Sequence, residues 1–436
     1  MATLRIRENF HPTYHNYSSI QDFDSKWESI LKSQIDQKGE IKIKCNKING
    51  ELNCLHVKKD NDRLYIETSY LIGLDFISED LSVMVEPKFD SDQKEFSIDF
   101  YKMLFESLPY VKFSEDISNI YHVDFSKPKI EINQKDDFLT PILVVQFINY
   151  LDNICHQGLQ KGYYLIENNL NNKLKGKILV KETMKKNHLK SNYNRTYCRY
   201  QEFGVDTLEN KFLKFAFQFC FNYLNQFNKL KIINNFDSRI GYIKNSLEKV
   251  TLETSIRNSI QIKKNPLFPA YESALKLANL ILKRNAFNIT NTTSNMIETY
   301  PYWIDMSKIF ELHVLKLLRM SFKEGVYYQK GYSDRIPDII LNLDSVKFVI
   351  DVKYKDYTKR SIDIEDIRQV AAYARMKPIF HDLKMKNNEI LDAIIIYPRV
   401  GSIHQSLNLD TLNMKKELDY YNIYKLDVSV PIITNK

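Results

Sequence analysis

The chain has 436 residues, of which 44% are hydrophobic and 27% charged, and its formal net charge is +8. This length suits about three domains, and the composition is that of ordinary globular protein, which argues against disorder. Glycine is scarce, and the sequence contains neither G-x-x-x-x-G-K-[ST] nor G-x-G-x-x-G, so we expect no phosphate-cradling glycine loop in this chain. The modest positive charge suits a polyanionic partner without requiring one.

The cysteines give no metal or disulfide signature. There are five of them, and they form no C-x-x-C pair and no Cys/His cluster with zinc spacing. An odd count, together with a first stretch (MATLRIRENF) that lacks a secretory hydrophobic region, predicts a reduced, cytoplasmic protein. Because no apolar run reaches the ~18 residues of a membrane span, we expect no membrane partner.

Residues 1–125 are predicted to form a β-rich domain with one or two helices. An amphipathic helix is predicted around Phe23 and Trp27, and Asn49-Gly50 is a strong hairpin signal between two strand-like runs. No residues here have catalytic spacing. A small β domain without a site of its own suggests a docking domain for a partner protein.

Residues 126–300 are predicted to be mainly helical and to carry a basic segment at 161–200. Ten residues of that segment are Lys or Arg, against two acidic residues, Glu167 and Glu182. Contacts with phosphate would give salt-sensitive, sequence-neutral affinity for DNA. A solvated surface is the alternative. The candidate DNA-binding residues are Lys175, Lys177, Lys185, Lys186, Arg195 and Arg199.

Residues 301–436 carry the candidate chemistry, centred on the stretch IPDIILNLDSVKFVIDVKYK. It predicts two apolar strands joined by a turn at 342–345, with Asp338 at the start of the first strand. Asp351 and Lys353 lie two apart in the second strand and so share a face. Converging buried carboxylates are costly unless a divalent metal holds them, with the lysine beside the water to be activated. The alternative is a hairpin whose aspartates accept backbone amides and whose lysine is an ordinary surface residue.

Two further candidates lie on predicted helices that flank these strands. Glu311 lies among apolar neighbours in a helix capped by Asp305 or Ser307, which makes it either a paired or a functional acid. The alternative for Glu311 is a surface ion pair with a neighbouring lysine, Lys308 or Lys316. Gln369 and Tyr373 lie four apart, and so on one face, in a predicted helix at 362–376.

The order of these predicted elements is helix, strands, helix, strand, with a further buried strand at DAIIIYPR and a last one at YYNIYKLDVSV. Pro-Asp followed a dozen residues later by Asp-x-Lys, in this setting, resembles the PD-(D/E)xK nuclease superfamily with its αβββαβ core. The predicted fold class is therefore α+β and multidomain. It comprises a β-rich N-terminal domain (1–125), a helical middle region (126–300) and a C-terminal α/β nuclease domain with a mixed sheet (301–436).

The chain also resembles the McrC family, the nuclease subunits of McrBC-type restriction systems. The most specific likeness is in KIFELHVLKLL, IPDIIL, IDVKYK and DIRQVAAYAR, and a looser one covers GLDFISEDLSVMVEPKF, KGKI and DTLENKFLKF. The resemblance implies that Asp338 and Asp351, with Glu311 and the backbone carbonyl of Val352, bind Mg²⁺. It implies that Lys353 orients or deprotonates the attacking water. The same resemblance assigns Gln369 and Tyr373 to positioning phosphate or that water.

The resemblance further implies partners and an activity. Its members cut double-stranded DNA after activation by an McrB-like AAA+ GTPase hexamer, and their N-terminal domain docks into that ring and stimulates GTP hydrolysis. Two other functions stay open from the residues alone. The chain could be a catalytically inactive adaptor that activates an AAA+ NTPase, or a stand-alone DNA-processing nuclease of the same superfamily.

Overall fold

The computed structural model describes most of the chain. The described residues are 2–8, 35, 39–47, 50–60, 63–87, 96–111, 120–133, 136–226, 237–253, 268–285, 296–331, 336–344, 346–355, 362–386, 389–400, 407–408, 412 and 416–434. The helix predicted around Phe23 and Trp27 lies outside them, as does Asn49 of the predicted hairpin turn.

The elements have the following bounds in chain order. The first group is β1 (Ala2–Arg7), β2 (Glu40–Lys47), β3 (Gly50–Asp60), β4 (Arg63–Thr68), β5 (Leu71–Phe76), β6 (Leu81–Glu86), β7 (Phe96–Ile98), α1 (Phe100–Ser107), β8 (Tyr121–Val123) and β9 (Ile130–Asn133). The second group is α2 (Leu139–Gln157), β10 (Gly162–Asn171), β11 (Lys177–Ile178), α3 (Val180–Lys186), β12 (Arg195–Gly204), α4 (Leu208–Gln226), α5 (Asp237–Ser246), α6 (Pro269–Asn285) and β13 (Met296–Thr299). The third is β14 (Tyr302–Asp305), α7 (Met306–Ser321), β15 (Val326–Tyr328), β16 (Ile339–Asn342), β17 (Lys347–Val352), α8 (Ile364–Tyr373), α9 (Lys377–Asp382), β18 (Asp392–Val400), β19 (Lys416–Glu417), β20 (Ile423–Val430) and β21 (Ile432–Thr434).

This mixture of helices and several sheets confirms the predicted α+β class. The chain divides into two compact units, one made of 1–132 with 299–436 and the other of 133–298. The predicted segments 1–125 and 301–436 lie within the first unit, so their separation into two domains stays a prediction.

The N-terminal and C-terminal segments of the first unit contribute strands to the same sheets. Strand β14 pairs antiparallel with β5 and with β8, inside a five-stranded sheet of order β1-β6-β5-β14-β8. Helix α1 packs on α7, and β7 pairs with β21 near the end of the chain. The residues of 1–125 that the structure describes are rich in strands, as predicted, and the five-stranded sheet also includes one strand from beyond residue 300.

The C-terminal sheet carries the candidate site. It is mixed and has the order β15-β16-β17-β18-β20-β19, with β16 and β17 antiparallel and β17 and β18 parallel. Apolar residues cover it on the side of α8, where Ile340, Val349, Val370 and Ile395 are all buried. Full burial of each such side chain contributes roughly 1.5–3 kcal/mol, which offsets the cost of a buried carboxylate in the same sheet.

The second unit combines helices with a small sheet. Helix α2 packs against α4, α5 and α6. Within the basic segment, β10 and β12 pair antiparallel over ten residues each, and β11 adds to β12. The prediction of a mainly helical region is therefore wrong for 162–204. Aromatic and β-branched residues favour strands, and Tyr163, Tyr164, Ile166, Thr196 and Tyr197 lie in β10 and β12.

Candidate functional site

Two aspartates face each other across the β16–β17 hairpin. The register pairs Ile339 with Ile350, so the next position pairs Asp338 with Asp351. Oδ2 of Asp338 accepts a hydrogen bond from the backbone N–H of Val352 at 2.8 Å, which fixes its carboxyl over the end of β17. The two carboxyls are close enough that the charge of Asp351 raises the pKa of Asp338.

A lysine, a glutamine and a tyrosine form a chain of contacts that leads away from these carboxyls. Nζ of Lys353 lies 2.9 Å from Oδ2 of Asp351 and donates to Oε1 of Gln369 at 2.7 Å. Nε2 of Gln369 in turn donates to the hydroxyl of Tyr373 at 3.0 Å. The structure thus brings together Asp338, Asp351, Lys353, Gln369 and Tyr373. Helix α8 presents the last two because they lie one turn apart.

Glu311 lies on α7, which begins after the N-cap residue Asp305; the side chain of Asp305 accepts from the backbone N–H of Lys308 at 3.1 Å. Nζ of Lys308 donates to both oxygens of Glu311 at 3.2 and 3.3 Å, so the predicted pairing with a neighbouring lysine is present. It is not a surface pair, because the Glu311 side chain is only 11% exposed. Gln329 also donates to Glu311 at 2.9 Å, a contact that sequence reasoning missed.

The three buried acids, Glu311, Asp338 and Asp351, influence one another's pKa values. Burial raises the pKa of Asp338 well above its usual range, and the charges of Glu311 and Asp351 raise it further. Burial likewise raises the pKa of Glu311 and of Asp351, although a lysine beside each carboxyl opposes the shift. For Lys353, burial disfavours the charge, but the carboxylates of Asp351, Asp338 and Asp366 together outweigh burial, so the pKa is raised. The neighbouring lysines therefore do not fully compensate the three buried carboxyls, and their pKa values stay raised.

The side chains of Asp338 and Asp351 fit a divalent cation. Burial raises the pKa of both carboxyls, and a bound cation would offset the free-energy cost of keeping them ionised. In addition, Oδ2 of Asp351 accepts no well-aligned hydrogen bond from the residues that the structure describes. Those same residues include no group of three His, Cys, Asp or Glu side chains arranged to hold a metal. Glu311 is engaged by Lys308 and Gln329, so its place and that of the Val352 carbonyl in the ligand set remain predictions.

A second ion pair lies behind the site, and sequence reasoning missed it. The buried carboxylate of Asp366 accepts from Nζ of Lys355 at 2.9 and 3.0 Å and from the hydroxyl of Tyr397 at 3.1 Å. Asp366 lies on α8 one turn before Gln369, so these bonds join that helix to the end of β17 and to β18. The sequence spacing indicated that this lysine could lie near the site. Asp351, Lys353 and Lys355 are two residues apart, so their side chains would share one face of an extended chain.

The basic segment lies in the second unit, and its candidate residues fall into two groups. Three of them form ion pairs: Lys175 with Glu202 at 2.7 Å, Lys186 with Glu182 at 3.0 Å, and Arg199 with Glu167 at 2.5 Å. The other three, Lys177, Lys185 and Arg195, are exposed and form no ion pair with a described residue. Their role in binding DNA stays a prediction.

The fold and site define the class of protein: an α+β chain with an acidic, lysine-containing cluster on a mixed sheet. The chain matches the family model described as McrBC 5-methylcytosine restriction system component over residues 67–398. Because this match covers well over half of its length, the chain belongs to that family.

Solved structures that are similar to the chain include the following two. One is a refined half-complex from a tetradecameric assembly of Thermococcus gammatolerans McrB AAA+ hexamers with bound McrC, at 15% identity and a TM-score of 0.38, covering 98% of this chain and 94% of that one. The other is the cryo-EM structure of the Thermococcus gammatolerans McrBC complex, at 13% identity and a TM-score of 0.28, covering 73% and 87%. No curated protein matches the chain.

None of the helices in the described part of the chain has the length and apolar character needed to cross a membrane.

Proposed function

We propose that this chain is the Mg²⁺-dependent endonuclease subunit of a GTP-dependent restriction system of the McrBC type. The observation that carries the proposal is the convergence of Asp338, Asp351 and Lys353 at the open end of β17. Membership of the McrBC component family supports it. The order of α7, β15, β16, β17, α8 and β18 supports a PD-(D/E)xK core.

The mechanism follows from the roles that these side chains can play. Asp338 and Asp351 would hold Mg²⁺, with the Val352 carbonyl and Glu311 as further candidate ligands. When bound, this ion supplies Lewis-acid activation of a water and of the scissile phosphate. The raised pKa of Lys353 keeps its ammonium charged at neutral pH, so Lys353 orients the attacking water and offsets negative charge on the phosphorane-like transition state.

The neighbouring polar groups position that lysine and the DNA. Gln369 accepts from Lys353 and so holds the ammonium on the side of α8, while Tyr373 fixes the glutamine amide. The exposed amide of Gln369 is also placed to contact a backbone phosphate. The basic residues of the second unit would add sequence-neutral contacts to the DNA backbone, since Lys and Arg contacts to phosphate carry no sequence information.

We assign the motor to a separate subunit, an McrB-like AAA+ GTPase hexamer. Two features support this division: the family is that of a restriction-system component, and the sequence contains neither phosphate-binding glycine motif. Residues 1–125 would dock into the ring and stimulate its GTP hydrolysis. Double-stranded DNA is then the substrate of the assembled complex.

A cleavage assay with and without the ring partner tests this function. Plasmid DNA is incubated with the purified chain, Mg²⁺ and GTP, in the presence or absence of an McrB-like AAA+ GTPase. The proposal expects cleavage that needs both the partner and Mg²⁺ and that chelation abolishes. Cleavage by the chain alone would instead indicate a stand-alone nuclease. Stimulation of GTP hydrolysis without any cutting would indicate an inactive adaptor.

A further inference from the structure

The catalytic lysine stands beyond the last residue of its strand. Strand β17 ends at Val352, and the backbone N–H of Lys353 makes one hydrogen bond to the carbonyl of Ile396 on β18, at 2.9 Å. The Lys353 backbone is thus held on its N–H side by β18, and on its other side it continues into Tyr354. The Tyr354 side chain is 4% exposed, so it points into the protein interior.

Two contacts of Tyr354 come from distant parts of the first unit. Its hydroxyl donates to Oε1 of Glu8 at 2.8 Å, and Glu8 is only 2% exposed. The ring packs beside Phe310, with ring centroids 5.8 Å apart, and Phe310 precedes Glu311 on α7. The buried ring of Tyr354 thus lies between an N-terminal carboxyl and the helix that carries the third acid.

Glu8 is itself held by the five-stranded sheet. It follows β1 directly, and its backbone N–H donates to the carbonyl of Glu86 at the end of β6, at 3.0 Å. Since β1 and β6 pair in parallel over six residues, the Glu8 carboxyl is carried by a regular sheet. An N-terminal sheet strand therefore reaches, through one hydrogen bond, the residue that follows Lys353.

We infer that Glu8 and Tyr354 are positioning residues for Lys353, and that residues 2–8 are a working part of the nuclease centre. This inference rests on the proposed function. Misplacing a reacting group by about one ångström can cost on the order of 100-fold in rate. Loss of the Glu8–Tyr354 bond frees the backbone beyond β17 and lets the ammonium leave its place beside Asp351.

Substitutions that keep or remove the hydrogen bond test this inference in the assembled complex with the ring partner. Tyr354→Phe removes the hydroxyl and retains the packed ring, Glu8→Ala removes the acceptor, and Glu8→Gln retains an acceptor oxygen. We expect the single-turnover cleavage rate to fall at least 10-fold in Tyr354→Phe and Glu8→Ala and to stay within 3-fold of wild type in Glu8→Gln. The double variant Glu8→Ala/Tyr354→Phe should be no slower than the slower single variant, because both changes break one bond.

Three further readouts separate positioning from general damage. In Tyr354→Phe the DNA concentration at half-saturation and the partner's GTPase stimulation should stay near the wild-type values, while the thermal midpoint, lowered by loss of the buried hydrogen bond, should stay well above the assay temperature. Rates within 2-fold of wild type in Tyr354→Phe and Glu8→Ala, with Lys353→Ala inactive, would overturn the inference and leave the proposed function standing. A slow Glu8→Gln variant, or GTPase stimulation that falls as much as cleavage, would also overturn it. Full cleavage by Lys353→Ala would instead refute the proposed function.

Discussion

The ammonium of Lys353 lies 2.9 Å from Oδ2 of Asp351, and this pair closes the side of the acidic cluster nearest α8. Asp351 is almost fully buried, whereas the Lys353 side chain keeps 18% of its surface exposed. DNA or water can therefore reach the cluster from the side on which Lys353 is exposed, where the charged ammonium is already held beside Asp351. The predictions below follow from this geometry.

The first prediction concerns Gln369, which accepts the hydrogen bond from Lys353. Gln369→Ala should lower the cleavage rate about 10- to 100-fold, the range expected when an outer partner of a metal site is removed. Single-turnover cleavage by the complex measures it. Arg368→Ala is the matched control, since Arg368 is exposed on the same helix and pairs with Glu365. Equal effects of the two substitutions would show that α8 itself, and not the amide, matters.

The second prediction concerns stability in metal-free buffer. Asp338→Asn keeps an oxygen to accept from Val352 but removes a charge that burial, Glu311 and Asp351 all disfavour. Because the folded-state pKa of Asp338 is raised, its stabilising contribution is fully present below the unfolded-state pKa and is lost as pH rises through the folded-state pKa. At neutral pH the variant should therefore have the higher urea midpoint, and the gap should close on acidification.

Asp344→Asn supplies the control for that experiment, because Asp344 lies in the exposed turn between β16 and β17. Its midpoint should follow the wild type at every pH. If Asp338→Asn were less stable than wild type at neutral pH, the carboxylate would be well compensated and the electrostatic account of the cluster would be wrong.

The third prediction is a proton linkage of metal binding. Asp338 and Asp351 have raised pKa values and must lose protons to act as ligands, so Mg²⁺ binding should release protons and tighten as pH rises. Calorimetry in two buffers of different ionisation enthalpy measures the protons released. Asp338→Asn should release fewer and bind more weakly. Identical binding heats in the two buffers near pH 6 would contradict this linkage.

The fourth prediction concerns the basic segment. Lys177, Lys185 and Arg195 are exposed and form no ion pair with a described residue, so their triple alanine variant should lose DNA affinity and reduce the salt slope by up to about 3, roughly 0.9 for each phosphate contact. Binding is measured by titration at several salt concentrations. An unchanged slope would identify these residues as an ordinary solvated surface, the alternative that the sequence left open.

The comparison with Lys175, Lys186 and Arg199 sharpens that test. Each of these residues already pairs with a glutamate, so replacing all three removes less net attraction for DNA. We expect this second triple variant to change the salt slope by less than the first. A larger change would mean that the ion pairs open on DNA binding.

The sequence predicted the local geometry of the candidate site well. The alternation in IDVKYK placed Asp351 and Lys353 on one face, and the four-residue spacing placed Gln369 beside Tyr373. Local periodicity decides such features, because strand and helix geometry fix which neighbours meet. The hairpin that brings Asp338 opposite Asp351 followed from two apolar runs and a polar turn.

Contacts between distant segments could not be predicted in the same way. No local pattern in YWID indicates that β14 enters the N-terminal sheet, or that Glu8 reaches Tyr354 across 346 positions of the sequence. Gln329 was missed because it belongs to no motif and contacts Glu311 only through the fold. The small sheet at 162–204 was missed for another reason, since β10 and β12 show no regular alternation of apolar and polar residues.

The central claim is that Lys353 serves the chemistry of DNA cleavage at the aspartate pair. The most direct test is single-turnover cleavage of plasmid DNA by Lys353→Ala in complex with the ring partner, Mg²⁺ and GTP, with GTP hydrolysis followed in the same reaction. Our account predicts a loss of cleavage of about 100-fold or more, the lower end of what a positioned catalytic group contributes, with stimulation of the GTPase unchanged. Cleavage at the wild-type rate by this variant would contradict it.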